Sequence, residues 1–339
     1  MLKIIEDDCI NILKKVDISI VKNKNILITG ASGIVGVYIL KCLKLIDNVD
    51  RVKITCWINS DIDPIFNGLY ENCTIIKKDI TDEKALEELK NMPKYDYIFH
   101  CAGYAQPNKF LENKVKTIQL NTYSTIKLFE NLTNNGTFVF MSTSEIYSGL
   151  DYENINEDQI GISNTSHPRS CYIEGKRCGE SICQAYKEMG YNVKIIRLSL
   201  AYGPGTKKND QRVLNSLFQK AFEKQEIRLL DSGSSIRTYG YISDIIEMIW
   251  NISISGKHSI YNVAGNSVIT IKDLANKIGK ITNCPVNFPI DNSYGLAGNP
   301  SVVNLSLNRY MLEFSKDNFI SLDEGLQKTY LWQKALYGK

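Results

Sequence analysis

Histidine is scarce in this 339-residue sequence: only His100, His167 and His258 occur, and none stands at metal-ligand spacing from another. No Cys-x-x-Cys is present either. The nine cysteines (Cys9, Cys42, Cys56, Cys73, Cys101, Cys171, Cys178, Cys183, Cys284) are odd in number and scattered, with Cys178 and Cys183 wrongly spaced for a zinc knuckle. They read as reduced thiols in a reducing compartment, and no metal site is expected. Lysine and arginine form no block along a face, and a net charge of +3 is too small to argue for nucleic acid. The slight excess of base suits a phosphate-bearing small molecule and suits neutral ligands equally. No apolar stretch approaches the roughly 20 residues needed to cross a membrane. The first residues carry Glu6, Asp7 and Asp8 where a secretory signal needs a basic start, and their apolar positions recur at helical spacing. The expectation is a cytoplasmic protein with no membrane or nucleic-acid partner.

What is present is an ordinary globular composition, 43% hydrophobic and 23% charged, in which strands and helices alternate. Short apolar runs at Asn25–Thr29, Val52–Ile58, Thr74–Lys77, Tyr97–His100, Thr137–Met141 and Val193–Leu198 read as six strands. Helices are expected at Val37–Leu45, from near Thr81, over Val115–Leu132 and over Ser170–Met189. Near-continuous apolar strands alternating with helices predict an α/β fold, a Rossmann-type doubly wound parallel sheet. Beyond Tyr202 the regularity weakens, with helices expected at 211–224, 243–252 and 270–280. This part reads as a smaller C-terminal α/β substrate-capping region. The division expected is a helical extension over 1–24, a dinucleotide-binding domain over 25–202 with returning segments from the C-terminal half, and a mainly substrate-binding region over 203–339.

The first strand runs into Gly30-Ala31-Ser32-Gly33-Ile34-Val35-Gly36 and then a helix. Gly30 permits the tight turn, Gly33 lets backbone approach a pyrophosphate, and Gly36 allows close helix–sheet packing, while the helix N-terminus favours the phosphates. The competing reading is a simple packing turn. After the second strand come Asn59, Ser60 and Asp61, with no arginine to meet a 2′-phosphate, which favours NAD over NADP. Further on, Tyr172 and Lys176 stand at i and i+4 on one helix face. A tyrosine normally ionises near pH 10, and a neighbouring ammonium with a nicotinamide cation would favour the phenolate. Such a phenolate can take the proton of a sugar hydroxyl. The fifth strand ends in Ser142-Thr143-Ser144-Glu145-Ile146-Tyr147, at the ligand side of a parallel sheet. Thr143 can hold a substrate hydroxyl and Glu145 can serve as a base or a charge stabiliser, or the pair is only a helix cap and a first-turn acid.

These pieces, with Asp79-Ile80, His100-Cys101-Ala102-Gly103, Asn121, Tyr172–Arg177, Arg197, Tyr202-Gly203-Pro204, Asn209–Val213 and Arg237 with Tyr241–Asp244, resemble in order an extended short-chain dehydrogenase/reductase. The resemblance covers about residues 24–335 and is to NAD-dependent nucleotide-sugar epimerases, dehydratases and decarboxylases. It implies a cofactor site of Gly30, Ser32, Gly33, Ile34, Val35, Gly36, Asn59, Asp79, Ile80, Cys101, Ala102, Gly103, Asn121, Tyr172 and Lys176. It implies catalytic roles for Thr143, Ser144, Glu145, Tyr172 and Lys176. It places the nucleotide sugar against Gln106, Leu200, Arg212, Val213 and Arg237, the two arginines gripping the diphosphate. Members commonly form homodimers through the helices around 115–132 and 170–189.

Members of this kind oxidise a sugar hydroxyl, usually at C4, and then diverge. Thr143-Ser144-Glu145, Tyr172–Arg177 and the Asn-Asp-x-Arg-Val stretch resemble UDP-glucuronate decarboxylases, and Ser144 replaces the aspartate a 4,6-dehydratase uses as acid. Leu200 departs from the decarboxylase pattern, which carries asparagine there, and so does Gly298-Asn299-Pro300, where a basic residue is usual. Dehydration and C4 epimerisation are therefore the alternatives. A non-catalytic NAD-binding regulator is a remote one, since such proteins often lack the Tyr-x-x-x-Lys pair. A reductase of free substrates would have no use for both Arg212 and Arg237.

Overall fold

The computed structural model describes residues 1–50, 52–150, 154–208, 210–289 and 302–338. In chain order the first half runs α1 (Leu2–Lys15), β1 (Asn25–Thr29), α2 (Ile34–Asp50), β2 (Lys53–Ile58), β3 (Thr74–Lys77), α3 (Glu83–Glu88), β4 (Tyr95–His100), α4 (Pro107–Glu112), α5 (Lys114–Asn121), α6 (Tyr123–Phe129) and β5 (Leu132–Thr143). There follow α7 (Ser170–Glu188), β6 (Asn192–Leu198), β7 (Leu200–Tyr202), α8 (Val213–Lys224), β8 (Ile227–Arg228), β9 (Ile236–Tyr241) and α9 (Ile242–Ser255). The chain ends with β10 (Ile260–Val263), β11 (Ser267–Thr270), α10 (Ile271–Thr282), β12 (Val286–Asn287), β13 (Val302–Val303), α11 (Asn308–Phe314) and α12 (Leu322–Leu336).

The apolar strands form one seven-stranded sheet in the order β10-β6-β5-β4-β1-β2-β3, and every neighbouring pair is parallel. Alternate side chains on each strand enter opposite cores. Ile26 and Ile28 join one with Val37, Leu40 and Trp250, while Leu27 joins the other with Ile98, Leu128 and Phe129. Strands buried on both faces need apolar residues at every position, which is why they show no alternation in sequence. Strand order reverses between β1 and β4, so their carboxyl ends diverge and open a crevice there.

Two expectations change. The helix after the glycine loop begins at Ile34, not Val37, because Val37 N–H already bonds Gly33 O at 2.9 Å. The single helix over Val115–Leu132 is two, α5 and α6, broken at Thr122, and β5 has already begun at Leu132. Thr117, Thr122 and Thr125 each donate a hydroxyl to the carbonyl four residues back, a competition that bends helices, and Thr122 sits at ψ −79°. Finally, Gly298-Asn299-Pro300 and Asn209 lie outside the described residues.

The N-terminal helix is fastened from inside. Asp8 is 3% exposed, and its carboxylate accepts from the hydroxyls of Tyr38 at 3.0 Å and Tyr241 at 2.7 Å. Lys328 of α12 pairs with it at 3.2 Å. One side chain thus joins α1, α2, β9 and α12. Replacing Asp8 by alanine strands two buried phenols and a half-buried ammonium. Urea unfolding of Asp8→Ala should show a loss of about 3 kcal/mol with an unchanged m-value. A loss below about 0.5 kcal/mol would show the node to be dispensable.

Candidate active site

The crevice is built first by glycine. Gly30 turns at φ +66°, and a Cβ there would lie 2.6 Å from Ala102 N. A Cβ on Gly36 would lie 2.6 Å from Gly30 O, whereas one on Gly33 would meet only that carbonyl, at 3.3 Å. Gly30 and Gly36 are therefore consumed by packing, and Gly33 is exposed, leaving its backbone open to a ligand. This cradle, at a helix N-terminus, fits the pyrophosphate of a dinucleotide. Ser32 is half-buried beside it, and Ile34 and Val35 open α2.

A directed hydrogen-bond chain ties β1 to β4 at the same level. Ala102 N–H donates to Thr29 Oγ1 at 3.2 Å, and the Thr29 hydroxyl meets His100 Nδ1 at 2.7 Å. His100 Nε2 lies 3.2 Å from the Leu120 carbonyl, which can only accept, so this nitrogen carries the proton. Burial, then the Lys176 charge, pushes His100 down to about 3, so the ring stays neutral. Cys101, Ala102 and Gly103 follow directly along the crevice wall, and burial raises the Cys101 thiol to about 12.

On the other side of the crevice, α7 presents Tyr172 and Lys176, both buried. The Tyr172 ring stacks on Phe110 at 4.8 Å. Lys176 Nζ donates to Met141 O at 2.6 Å and lies 4.9 Å from the Phe140 ring centroid. Burial pulls Lys176 down to about 8. Burial also pushes Tyr172 up to about 12, and Glu145 adds to the rise; a hydrogen bond with Thr143 and the charges of Arg169 and Arg212 oppose it. The protein's own field thus runs against the expected phenolate, because desolvation outweighs the nearby cations. The cations that favour ionisation are Arg169 and Arg212.

Glu145, read in the sequence as a base or a charge stabiliser, is held by an arginine. Arg169 clasps it with Nε at 2.8 Å from Oε2 and Nη2 on Oε1. Thr143 Oγ1 accepts from Glu145 N–H at 3.2 Å, so the cap read in the sequence is present, and Ser144 is buried behind it. Arg169 was not singled out in the sequence. The signal was its place three residues before Tyr172, at the start of α7, where its guanidinium lies 5.1 Å from the Phe110 ring centroid.

Among the substrate positions, Arg212 leans on buried Asp210, with Nε at 3.0 Å from Oδ1 and Nη2 at 2.5 Å from Oδ2. Arg237 is half-buried, donates to Ile236 O at 2.8 Å, and is pulled down by burial, with Tyr239 and Glu145 opposing and Arg169 adding to the fall. Gln106 Oε1 accepts from Gln211 N–H at 3.2 Å, which joins the start of α4 to the segment carrying Arg212. Val213 is exposed at the first turn of α8. Leu200 is half-buried on β7, opposite Tyr239.

The remaining cofactor positions divide. Asn59 is exposed just past β2. Asp79 accepts from Thr81 N–H at 3.0 Å and pairs with Lys116 at 2.6 Å, so it shapes the β3 loop. Ile80 is buried against α6, its carbonyl accepting from Ser124. Asn121 donates to Thr117 O at 2.7 Å, while its buried Oδ1 has no partner among the described residues. Behind the site, Glu180 accepts from Ser142 and pairs with Arg197 at 2.8 Å, and Arg197 also donates to Tyr147 at 2.9 Å. This buried brace fixes the end of β5.

The Lys176 shift has a measurable sign. Folded protein releases this proton near pH 8, whereas an ordinary lysine keeps it to about 10.5. Between those values the unfolded chain binds more protons, so stability contributed here rises with pH, by at most about 1.4 kcal/mol per unit. Urea unfolding of wild type and Lys176→Met at pH 7, 9 and 10 should show wild type gaining on the variant. Parallel curves would contradict a depressed Lys176.

A UDP-glucuronic acid decarboxylase 1 from Danio rerio is 28% identical over 90% of this chain and 72% of its own length. One from Arabidopsis thaliana is 27% identical over 91% of this chain and 69% of its own length. The structure of a UDP-glucose 4-epimerase from Thermotoga maritima superposes with a TM-score of 0.79 at 21% identity, covering 92% of this chain and 99% of that one. The family model matches residues 26–264, from the first strand to just past β10, and the chain belongs to the NAD dependent epimerase/dehydratase family.

Proposed function

We propose that this protein acts on a nucleotide sugar bearing a carboxylate, oxidising C4 and, with a glucuronate, releasing carbon dioxide from C5. The observation that carries this reading is the placing of Arg169, whose guanidinium lies 5.1 Å from the centroid of the Phe110 ring on which Tyr172 stacks. Its charge and that of Arg212 oppose the rise that burial imposes on the phenol. A neutral hexose brings only the charge of its diphosphate. A uronate brings one more anion, which suits a further guanidinium. The names of the curated relatives support the same choice.

NAD, held at the glycine loop around Gly33, would supply the acceptor for the C4 hydride and its return. Tyr172 takes the C4 hydroxyl proton, helped by Arg169 and Arg212, and Thr143 orients the hydroxyl. Lys176 adds positive charge behind the site. A C4 ketone turns the C5 carboxylate into a β-keto acid. The bond between C5 and the carboxylate carbon breaks, its electron pair forms a C4–C5 enolate, and a solvent proton closes C5. Arg169 holds the carboxylate until it leaves, while Arg212 and Arg237 hold the diphosphate. Dehydration fits less well, since Glu145 is clasped and Ser144 is a poor acid. Apolar Leu200 favours one second reading, C4 epimerisation of a different nucleotide sugar. We further assign the working form as a cytoplasmic homodimer. The support is nine free cysteines and an apolar strip on α5 and α6, where Val115 is 70% exposed and Ile118 43%.

Mass spectrometry of products from UDP-glucuronate should show loss of carbon dioxide. Loss of water, or no mass change with a panel of other nucleotide sugars turned over instead, would replace this reading. Tyr172→Phe should lower turnover at least about 100-fold while leaving the dinucleotide bound. Glu145→Gln should spare simple C4 oxidation and impair chemistry at C5. Sedimentation should find Val115→Glu with Ile118→Glu monomeric; an unchanged wild-type dimer would place the interface elsewhere.

A further inference from the structure

Three donors from three separate elements converge at the mouth of the glycine loop. Lys207 Nζ lies 2.8 Å from Ser60 Oγ and 3.4 Å from Ser32 Oγ, and the two hydroxyls are 3.5 Å apart. Ser32 belongs to the glycine loop and Ser60 stands two residues past β2. Lys207 comes from the segment after β7, which leads to Asp210 and Arg212. Among the described residues no carboxylate pairs with Lys207. Asp61 is turned to Lys77 and its side chain is 88% exposed, and Asp63 caps the following turn by accepting from Ile65 N–H at 3.1 Å.

The lysine is held there by the C-terminal helix. Trp332 Nε1 donates to Thr206 O at 2.9 Å, Gln333 Nε2 to Thr206 Oγ1 at 3.0 Å, and the Tyr337 hydroxyl to Lys208 O at 2.8 Å. Gly205 turns at φ +95° beside Ile34, the first residue of α2. Burial lowers the Lys207 pKa, and the Lys109 charge adds to the fall while Asp63 opposes it. A partly desolvated ammonium with two hydroxyls, pinned by its backbone neighbours, is a preorganised anion ligand.

We propose that Lys207 is a phosphate ligand of the bound dinucleotide, reaching it from the substrate-side segment with Ser32 and Ser60 as hydroxyl partners. The phosphate is either the pyrophosphate, which the glycine loop cradles, or a 2′-phosphate on the ribose at the end of β2. The residue after that strand is Asn59, which would not repel the second. Cofactor retention and substrate binding then share one stretch of chain, Lys207 to Arg212. The inference rests on the family's dinucleotide site and is independent of the reaction proposed above.

The test is exchange of the dinucleotide carried by the purified protein against labelled NAD and labelled NADP, with ADP-ribose and adenosine as competitors. A charge-assisted hydrogen bond of this kind contributes a factor of about 10 to 100 in affinity. Lys207→Met should weaken both dinucleotides and ADP-ribose by that factor if the pyrophosphate is held, or NADP alone if the 2′-phosphate is held. Adenosine should compete unchanged in either case, and Lys207→Arg should restore most of the loss. Ser60→Ala gives a smaller loss of the same pattern without altering the segment, should the lysine variant fold poorly. Affinities within about twofold of wild type for all ligands, or an equal loss that includes adenosine, would overturn the assignment.

Discussion

A side-chain carbon on Gly30 would stand 2.6 Å from Ala102 N, and one on Gly36 would stand 2.6 Å from Gly30 O. Neither distance is tolerable, so the turn after β1 lies flat on the residues after β4 only because both positions are glycine. That contact brings Thr29 level with His100 and lets the Ala102 amide, Thr29 and His100 form one chain of hydrogen bonds. It seats the amino end of α2 at the switch point, with Gly33 facing outward. The cofactor wall after β4 and the face of α7 are then fixed relative to one cradle. A larger residue at Gly30 would move them all.

Burial gives this crevice its chemical character. The same desolvation lowers Lys176 to about 8, raises Tyr172 to about 12 and keeps His100 neutral. A phenol so placed holds its proton until a cation approaches. Arg169 and Arg212 stand nearest in effect, and each is itself tied to a carboxylate, Glu145 and Asp210. The guanidinium charges are thereby positioned but partly balanced. An anionic substrate that competes with those carboxylates would change the field on Tyr172 as it binds.

The parallel sheet and the glycine loop were legible because their residues carry local signals: apolar runs, glycine spacing, a Tyr–Lys pair at one helical turn. The break at Thr122 was less so, since three threonine hydroxyls turned back on the backbone outweigh an apolar pattern that reads as one helix. Arg169 and Lys207 escaped for a different reason. Each acts on a residue distant in sequence, Glu145 in one case and Ser32 with Ser60 in the other, so only the folded chain brings them together. Asp8 is the same case in the scaffold. An acid in an amphipathic N-terminal helix reads as solvated until Tyr38, Tyr241 and Lys328 close over it.

The claim on which the account turns is that C4 of the sugar gives up its hydride beside Tyr172. The direct measurement uses UDP-glucuronate carrying deuterium at C4, mixed with an excess of cofactor-loaded protein and quenched in acid during a single turnover. The account predicts that the recovered dinucleotide carries deuterium on its nicotinamide before product appears, and that the label has returned to the sugar once turnover is complete. Carbon dioxide and pentose forming while the dinucleotide carries no deuterium at any time would contradict it.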